Sequence, residues 1–487
     1  MNCKKTLLRE PKNSMANDVS AFYGKDSILI AYSSKFFPML FTNLTRQNEI
    51  GANCYHVQIN GHGYLLDCGT HPKIDGNDAL PRLDLLAGKP LDGVFVSHAH
   101  LDHIGSLPVI LSERPETRAY LTHASCMIAD RALHNSASVM IKQRNELNLV
   151  EYPFFTHGQV DRLLEDFESV PYGRPFEVDG AQITYYEAGH VQGAAGIWIQ
   201  LDGQSLFYTG DVKFSDMKIT RGARFPDERP DIMIIECTRG SIPPRPGVSW
   251  ETEIKRLATS IQETHAKGGS VLIPCFALGK TQEALKILHD LMQEGSLPEQ
   301  LIYISGLSRS YTEIYDELSS SHPRVCPGFK LEDNLNLTVL EQKEAMTMKL
   351  GRGRLMLISS GMMTPRTRSN LMAQRVAAEK QHSIFFVGYV DPDSPAGKVK
   401  AAGQGGRADM GSDAGEMEIR CRVESFEFTS HCNREHMLEY ITRIRPRNVV
   451  LVHGDPSSLH WFQKELTQQM PESKIIIPPS GKTIELA

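Results

Sequence analysis

Nowhere among the nine cysteines (Cys3, Cys54, Cys68, Cys126, Cys237, Cys275, Cys326, Cys421 and Cys432) do two stand as Cys-x-x-Cys. A zinc ribbon, a redox pair and a disulfide framework are thereby excluded, and a reducing, cytoplasmic setting is expected. Missing too is any apolar stretch long enough to cross a bilayer. Residues 1–20 are polar, with Lys4, Lys5, Arg9 and Lys12, and no signal-peptide core follows them, so no membrane partner is expected. Nor is there an excess of positive charge: the formal net charge is −6, and any footprint for nucleic acid must be local. What the chain does have is size. Its 487 residues, 41% hydrophobic and 23% charged, exceed one ordinary core and imply two domains.

Residues 94–105 are the centre of interest. The apolar run Val94-Phe95-Val96 ends in His98, His100, Asp102 and His103. Neutral imidazole and carboxylate are the ligands that zinc and similar divalent ions prefer. Alternation at a strand end throws His98, His100 and Asp102 to one side, so two ligands could serve one ion and Asp102 with His103 another. Two divalent ions are expected.

Residues 1–38 show no clean period and read as an extension. Short strands are predicted over 39–41, 54–59 and 64–66, the last two joined by a turn over 61–63 and running into Asp67. Asp67 could orient a ligand histidine or metal-bound water, or it could simply cap the turn. A strand over 119–122 and a helix over 124–134 are scaffold. The strand over 183–187 leads into a loop of small residues from which His190 projects, and the strands over 206–208 and 231–235 lead to Asp211 and Glu236. One sheet rim thus collects the chemistry. Residues 241–424 alternate strand and helix, which implies a parallel sheet with covering helices inserted as its own unit. Strands over 426–430 and 449–452 then end on His431 and His453, so residues 39–240 and 425–487 are expected to form one domain closing around the insertion. Other histidines, among them His56, His134 and His322, complete no ligand spacing.

Within the insertion, Ser360, Gly361, Arg366, Arg368, Tyr389 and Lys398 fall in loops after buried strands, where backbone amides and cations can meet phosphates. Residues 241–424 hold 22 Lys and Arg against 22 Asp and Glu, so the remaining residues carry the whole −6. The insertion repels phosphate less than they do.

His98-Ala99-His100-Leu101-Asp102-His103, with Asp67, His190 and Asp211, resembles the ligand set of the metallo-β-lactamase fold. Glu236, His431 and His453 with the insertion between them resemble the β-CASP nucleases, the group that includes the mRNA 3′-end-processing endonuclease and ribonuclease J. The likeness runs from about residue 39 onward. It implies an α/β fold, a metallo-β-lactamase αββα sandwich with an inserted α/β β-CASP domain. It implies two Zn²⁺ ions, one on His98, His100 and His190 and the other on Asp102, His103 and His453, with Asp211 bridging. It further implies that His431 protonates the departing ribose oxygen and that Glu236 orients that imidazole. His453 resembles the RNA-cleaving members, whereas the DNA-repair branch has an apolar residue there, so single-stranded RNA is the expected partner, with a homodimer as a second expectation. Three rivals stay open: a DNA nuclease, a small-molecule hydrolase of thioesterase or lactonase type, and a catalytically silent scaffold, which would be expected to have lost ligands. Endonuclease and 5′-exonuclease modes are not separated.

Two departures from the family pattern stand out. Cys237-Thr238-Arg239-Gly240 replaces the common Ser-Thr-Tyr-Gly, and Gly454-Asp455-Pro456 follows His453 where Gly-Glu is usual. The 34 residues after His453 are too few for the C-terminal assembly region of ribonuclease J.

Overall fold

The computed structural model describes residues 38–351, 353–411 and 414–486. The expected N-terminal extension lies, but for residue 38, outside the described residues. Two seven-stranded sheets face each other. One orders the strands Thr483–Leu486, Met39–Asn43, Tyr55–Ile59, His62–Leu66, Gly93–Phe95, Ala119–Thr122 and Phe167–Val170. The other orders Lys474–Ile476, Asn448–Val452, Ile232–Glu236, Gln204–Tyr208, Ala195–Leu201, Ala181–Glu187 and Phe176–Val178. Strand alternation explains the layering. Ile232, Ile234 and Val450 point into the core between the sheets with Phe41, Tyr55 and Phe95. Met233, Ile235 and Val449 point outward under the helices Arg434–Ile444 and Pro456–Gln469. On the opposite outer face the helix His123–Leu147 covers Val94 and Leu121. The αββα sandwich implied by the motifs is therefore present.

A third sheet of six strands, all parallel, runs in the order Leu337–Val339, Ile302–Ile304, Leu355–Ile358, Val271–Pro274, Ser383–Val387 and Arg422–Phe426. Helices such as Lys280–Gln293 and Arg368–Ala377 cover its two faces. Its four central strands are fully buried and almost wholly apolar, as a parallel sheet covered on both sides requires, and most of the polar residues fall on the edge strands Leu337–Val339 and Arg422–Phe426. One apolar cluster joins helix His123–Leu147 of the sandwich to helix Gly306–Glu317 of the insertion, and Glu283 accepts the backbone N–H groups of Lys218, Ile219 and Thr220 across the junction.

Three local readings need correcting. The strand before His431 is Arg422–Phe426, and it pairs with Ser383–Val387 of the parallel sheet, so residues 427–430 are a connection rather than a sandwich strand. A boundary at 424/425 falls inside that strand. The hairpin turn is Asn60-Gly61, both in positive φ, and His62 already belongs to the next strand; an Asn-Gly pair is the preferred two-residue turn. The predicted helix over 124–134 extends to Leu147 because Ala137 and Met140 keep the buried stripe going. Among the described residues no helix is long and apolar enough to cross a membrane.

Candidate metal centre and active site

Strand ends from both sandwich sheets meet at one rim. His98 lies in the turn after Gly93–Phe95, and Asp102 and His103 lie in the one-turn helix Leu101–Ile104 with His100 as its N-cap. A side chain at Gly69 would collide with the Asp102 carbonyl, so the loop after Asp67 closes on this helix only because residue 69 is glycine. Asp67 and His453 adopt left-handed backbone, with φ of 57° and 48°, conformations that cost a non-glycine residue about 1–3 kcal/mol. Both turn a strand end sharply towards the centre.

Nε2 of His98 and Nε2 of His190 lie 3.0 and 3.2 Å from Nδ1 of His100. The tautomers follow from the other ring nitrogens. His190 Nδ1–H donates to the Ser430 carbonyl at 3.1 Å, and His98 Nδ1–H donates to Ser97 Oγ at 3.1 Å, whose own proton goes to Asp67. Two lone pairs therefore converge on the third ring. Ligands held about 2.05 Å from a tetrahedral ion stand about 3.3 Å apart, so the triangle fits such a metal. Burial, reinforced by the neighbouring imidazoles, lowers His98 and His190 well below the ordinary histidine range and His100 to about 4, which keeps all three neutral and ready to ligate.

Asp102, His103 and His453 make a second set. His103 Nε2 and His453 Nε2 each lie 3.6 Å from Asp102 Oδ2. Asp211 Oδ2 is 3.6 Å from both His103 Nε2 and His190 Nε2, between the two sets. Within the cluster, the buried Asp211 Oδ1 and His453 Nε2 make no hydrogen bond among the described residues, and Asp211 Oδ1 lies 3.1 Å from His453 Nδ1. Burial acts against charge on His103, yet Asp211, Asp102 and Asp67 push its pKa up. Asp211 is held well below the carboxylate range despite its own burial by His453 and His103. The cluster is built to receive positive charge, and orphaned donor atoms among neutral imidazoles and carboxylates fit a divalent metal.

Asp67 orients rather than ligates. Fully buried, it accepts Ser97 N–H at 2.6 Å, Ser97 O–H at 2.7 Å, Tyr208 O–H at 2.6 Å and His103 Nδ1–H at 2.7 Å. That fixes the His103 tautomer with the lone pair on Nε2, where the Asn53 Nδ2–H donates at 3.1 Å. Glu236 Oε1 accepts the Val212 N–H at 2.7 Å, and its Oε2 lies 2.9 Å from His431 Nδ1. The His431 ring centre stands 4.5 Å from that of His190. Cys237 and Cys432 face away into the core under the C-terminal helices.

Three family models match in succession: the metallo-beta-lactamase superfamily over 48–262, the Beta-Casp domain over 281–399, and the Zn-dependent metallo-hydrolase RNA specificity domain over 416–478. The chain belongs to the β-CASP family of metallo-β-lactamase-fold hydrolases. Similar curated β-CASP proteins include cleavage and polyadenylation specificity factor subunit 3 of Dictyostelium discoideum (27% identical, covering 90% of this chain and 56% of the relative) and endoribonuclease YSH1 of Candida glabrata (28%, 86% and 55%). Cleavage and polyadenylation specificity factor 73 of Drosophila melanogaster is 27% identical over 86% of this chain and 60% of its own length. The chain thus spans little more than half the length of these relatives. A crystal structure of an Enterococcus faecalis protein of unknown function shares the fold, with a TM-score of 0.57 at 14% identity over 92% of this chain and 100% of that one.

The β-CASP sheet turns its C-terminal strand edge to the metal centre, since His431 follows Arg422–Phe426 along that edge. Ser360 and Gly361 follow Leu355–Ile358, with Gly361 packed on the backbone of Cys275 and Phe276, and Tyr389 follows Ser383–Val387. Arg366, Arg368 and Lys398 lie beside carboxylates, Glu146 at 3.8 Å, Glu341 at 3.6 Å and Asp409 at 2.8 Å. Lys398 leans to the outer hairpin of Arg407–Asp409 and Glu416–Glu418. Sequence reasoning missed Phe276, 40% exposed on the same edge as the 51% exposed Tyr389, as well as Lys213 and Lys280 near the Glu236–His431 pair. None of these obeys a spacing rule; only the parallel strand order brings them together. The metal ligands are largely closed off from solvent. His98, His103, His190, Asp211, Glu236 and His453 are buried, His100 is half-buried, and Asp102 and His431 keep about a fifth of their side chains, 20% and 19%, exposed. Lys73 Nζ meets Asp391 at 2.7 Å across the lobes.

Proposed function

We propose that this chain is a zinc-dependent ribonuclease that hydrolyses phosphodiester bonds in single-stranded RNA. The observation that carries the reading is the Glu236–His431 pair set against the metal-ligand cluster, because a hydrolase of small thioesters or lactones has no need of a second acid beside its metals. Two zinc ions are proposed, one on His98, His100 and His190, the other on Asp102, His103 and His453, with Asp211 between them. When bound, such ions lower the pKa of water towards 7 and offset charge on phosphoryl oxygens.

The chain's own residues supply the rest. Glu236 holds Nδ1–H of His431, so Nε2 is the nitrogen that gives a proton to the departing ribose oxygen. Asp67 keeps the His103 lone pair aimed inward. Ser360 and Gly361 offer hydrogen-bond donors to the backbone, and Phe276 and Tyr389 offer faces on which bases stack at about 1–3 kcal/mol each. The division of the chain belongs to this proposal, with 39–240 and the residues after Arg422–Phe426 carrying the metal ligands and the unit between them, which includes that strand, roofing the centre. A reducing compartment is part of the proposal, as the setting in which the buried thiols of Cys54, Cys68, Cys237 and Cys421 would stay unpaired. A homodimer plays no part in the chemistry, since every ligand comes from one chain.

The test is direct. The full chain loaded with zinc is given 5′-labelled single-stranded RNA and the matched DNA, and metal content is measured by mass spectrometry. RNA cleavage that needs about two zinc ions per chain and disappears on chelation is expected. Intact RNA alongside rapid hydrolysis of DNA or of a thioester would replace the proposal by one of its rivals.

A further inference from the structure

Three cations that the chemistry above leaves unused converge beside the Glu236–His431 pair. Lys213 follows Val212, whose N–H is bound by Glu236 and whose carbonyl accepts the Cys432 N–H at 2.7 Å. Arg239 lies three residues after Glu236, in the tetrapeptide where this chain departs from its family. Lys280 opens a helix of the inserted unit and donates through Nζ to the carbonyl of Phe428, three residues before His431. Its Cε lies 3.3 Å from the position a Cβ would take at Gly388, so it runs along the loop that leads to Tyr389. Three loops from two units thus point positive charge at one place.

Among the described residues that charge is only partly neutralised. Lys213 is 5% exposed, and among the described residues its Nζ has neither a hydrogen bond nor an ion pair; the Trp250 ring centre lies 5.8 Å away. Arg239 Nε is buried with no acceptor, and its Nη2 reaches Glu427 only at 3.6 Å, a carboxylate it shares with Arg245. The other nearby carboxylates are committed, Glu236 to Val212 and His431, Glu283 to three backbone amides, and Glu253 to Arg256 and the Glu427 N–H. Burial, with Lys213 and Arg239 nearby, brings Lys280 down to about 8. An ammonium buried without an acceptor is costly unless something anionic visits it.

We propose that Lys213, Arg239 and Lys280 form a subsite for one RNA phosphate, that of the nucleotide whose ribose oxygen departs. The assignment rests on the ribonuclease reading and deepens it. His431 delivers its proton on the leaving-group side, and the next phosphate along that strand must pass the groups that flank His431. A phosphate there replaces the missing acceptors of Lys213 and Arg239 and draws the inserted unit, through Lys280, towards the sandwich.

The test uses the zinc-loaded full chain and a short RNA whose cleavage position has been mapped. A single uncharged methylphosphonate is placed at successive positions, so no protein variant is needed. Wild-type KM is expected to rise about tenfold when the substitution falls on the phosphate neighbouring the scissile one on the leaving-group side, and less at more distant positions. Lys280→Gln is expected to raise KM about tenfold on unmodified RNA and to add little on the methylphosphonate RNA, because both changes remove the same contact. Lys280→Arg is expected to restore most of the loss. RNA cleavage that is indifferent to the methylphosphonate, or variant and substrate losses that simply multiply, overturns the subsite while leaving the ribonuclease reading intact. RNA left uncut by the zinc-loaded wild type removes the reading and the subsite together.

Discussion

Replacing Asp67 by Asn changes one oxygen to a nitrogen and removes one charge, and the surrounding bonds let the consequence be worked out. Oδ1 accepts Ser97 N–H, and Oδ2 accepts Ser97 O–H, Tyr208 O–H and His103 Nδ1–H, all between 2.6 and 2.7 Å. An amide with its nitrogen at the first position faces a backbone donor, and turned over it faces three side-chain donors. Either way at least one buried donor is left unmet, and the rest lose their ionic partner. Each hydrogen bond to a charged group contributes about 1.5–3 kcal/mol, so the metal-free protein should lose about 3–5 kcal/mol of stability. The His103 proton is then free to move to Nε2, the nitrogen that faces Asp102 and Asp211. Affinity for the ion held with Asp102 and His453 should fall about 10–100-fold, while His98, His100 and His190 keep theirs. Zinc titration against a chromophoric chelator should show one tight equivalent where the wild type shows two, and urea unfolding should report the stability loss. Two equivalents bound within a factor of two of wild-type affinity would refute the orienting role of Asp67.

Other outcomes follow from the same geometry. His431→Gln should lower kcat for RNA about 10²–10⁴-fold at wild-type zinc content, as expected for a lost proton donor, and a rate within threefold of wild type would exclude that role. Zinc at a thousand times its dissociation constant should stabilise the chain by about 4 kcal/mol, read as a rise in Tm that a chelator reverses. His56 is buried with Nδ1 unpartnered and its pKa lowered to about 4 by desolvation, so the unfolded chain takes up a proton first as pH falls. Its contribution is intact above about pH 6.5, and about 2 kcal/mol of stability should be gone by pH 5, a loss absent in a folded His56→Gln variant and measurable by denaturant titration. Lys73→Ala removes the half-exposed ion pair with Asp391 that crosses the lobes, worth about 0.2–1 kcal/mol, so RNA should reach the centre up to about fivefold more readily in initial-rate assays.

Much of the centre was legible in the chain because ligand chemistry is local. His98 to His103 sit within six positions after an apolar strand, and Asp211, Glu236 and His453 each end another. What pairing decides was harder. The apolar run at 426–428 looks like any other strand, yet the hydrogen-bonded residues are Arg422–Phe426, because the neighbour they meet is Ser383–Val387. Arg366, Arg368 and Lys398 are cations in loops, and nothing in their spacing tells an ion pair with Glu146, Glu341 or Asp409 from a phosphate contact. Lys213 and Lys280 stand 67 positions apart and meet only because two separately folded units dock.

Strand Thr483–Leu486 hydrogen-bonds to Met39–Asn43, and Asn448–Val452, which presents His453, lies inside the second sheet between Ile232–Glu236 and Lys474–Ile476. Neither sheet is whole until residues made late in synthesis return to join those made early, a long-range closure of the kind that folds slowly. A ribosome that stalls before residue 453 would release a product with the first ion's three imidazoles in place but without the seventh ligand. Under the proposed ribonuclease reading, such a fragment would lack a ligand of the second ion, and the order of synthesis would keep a half-built copy from acting on RNA.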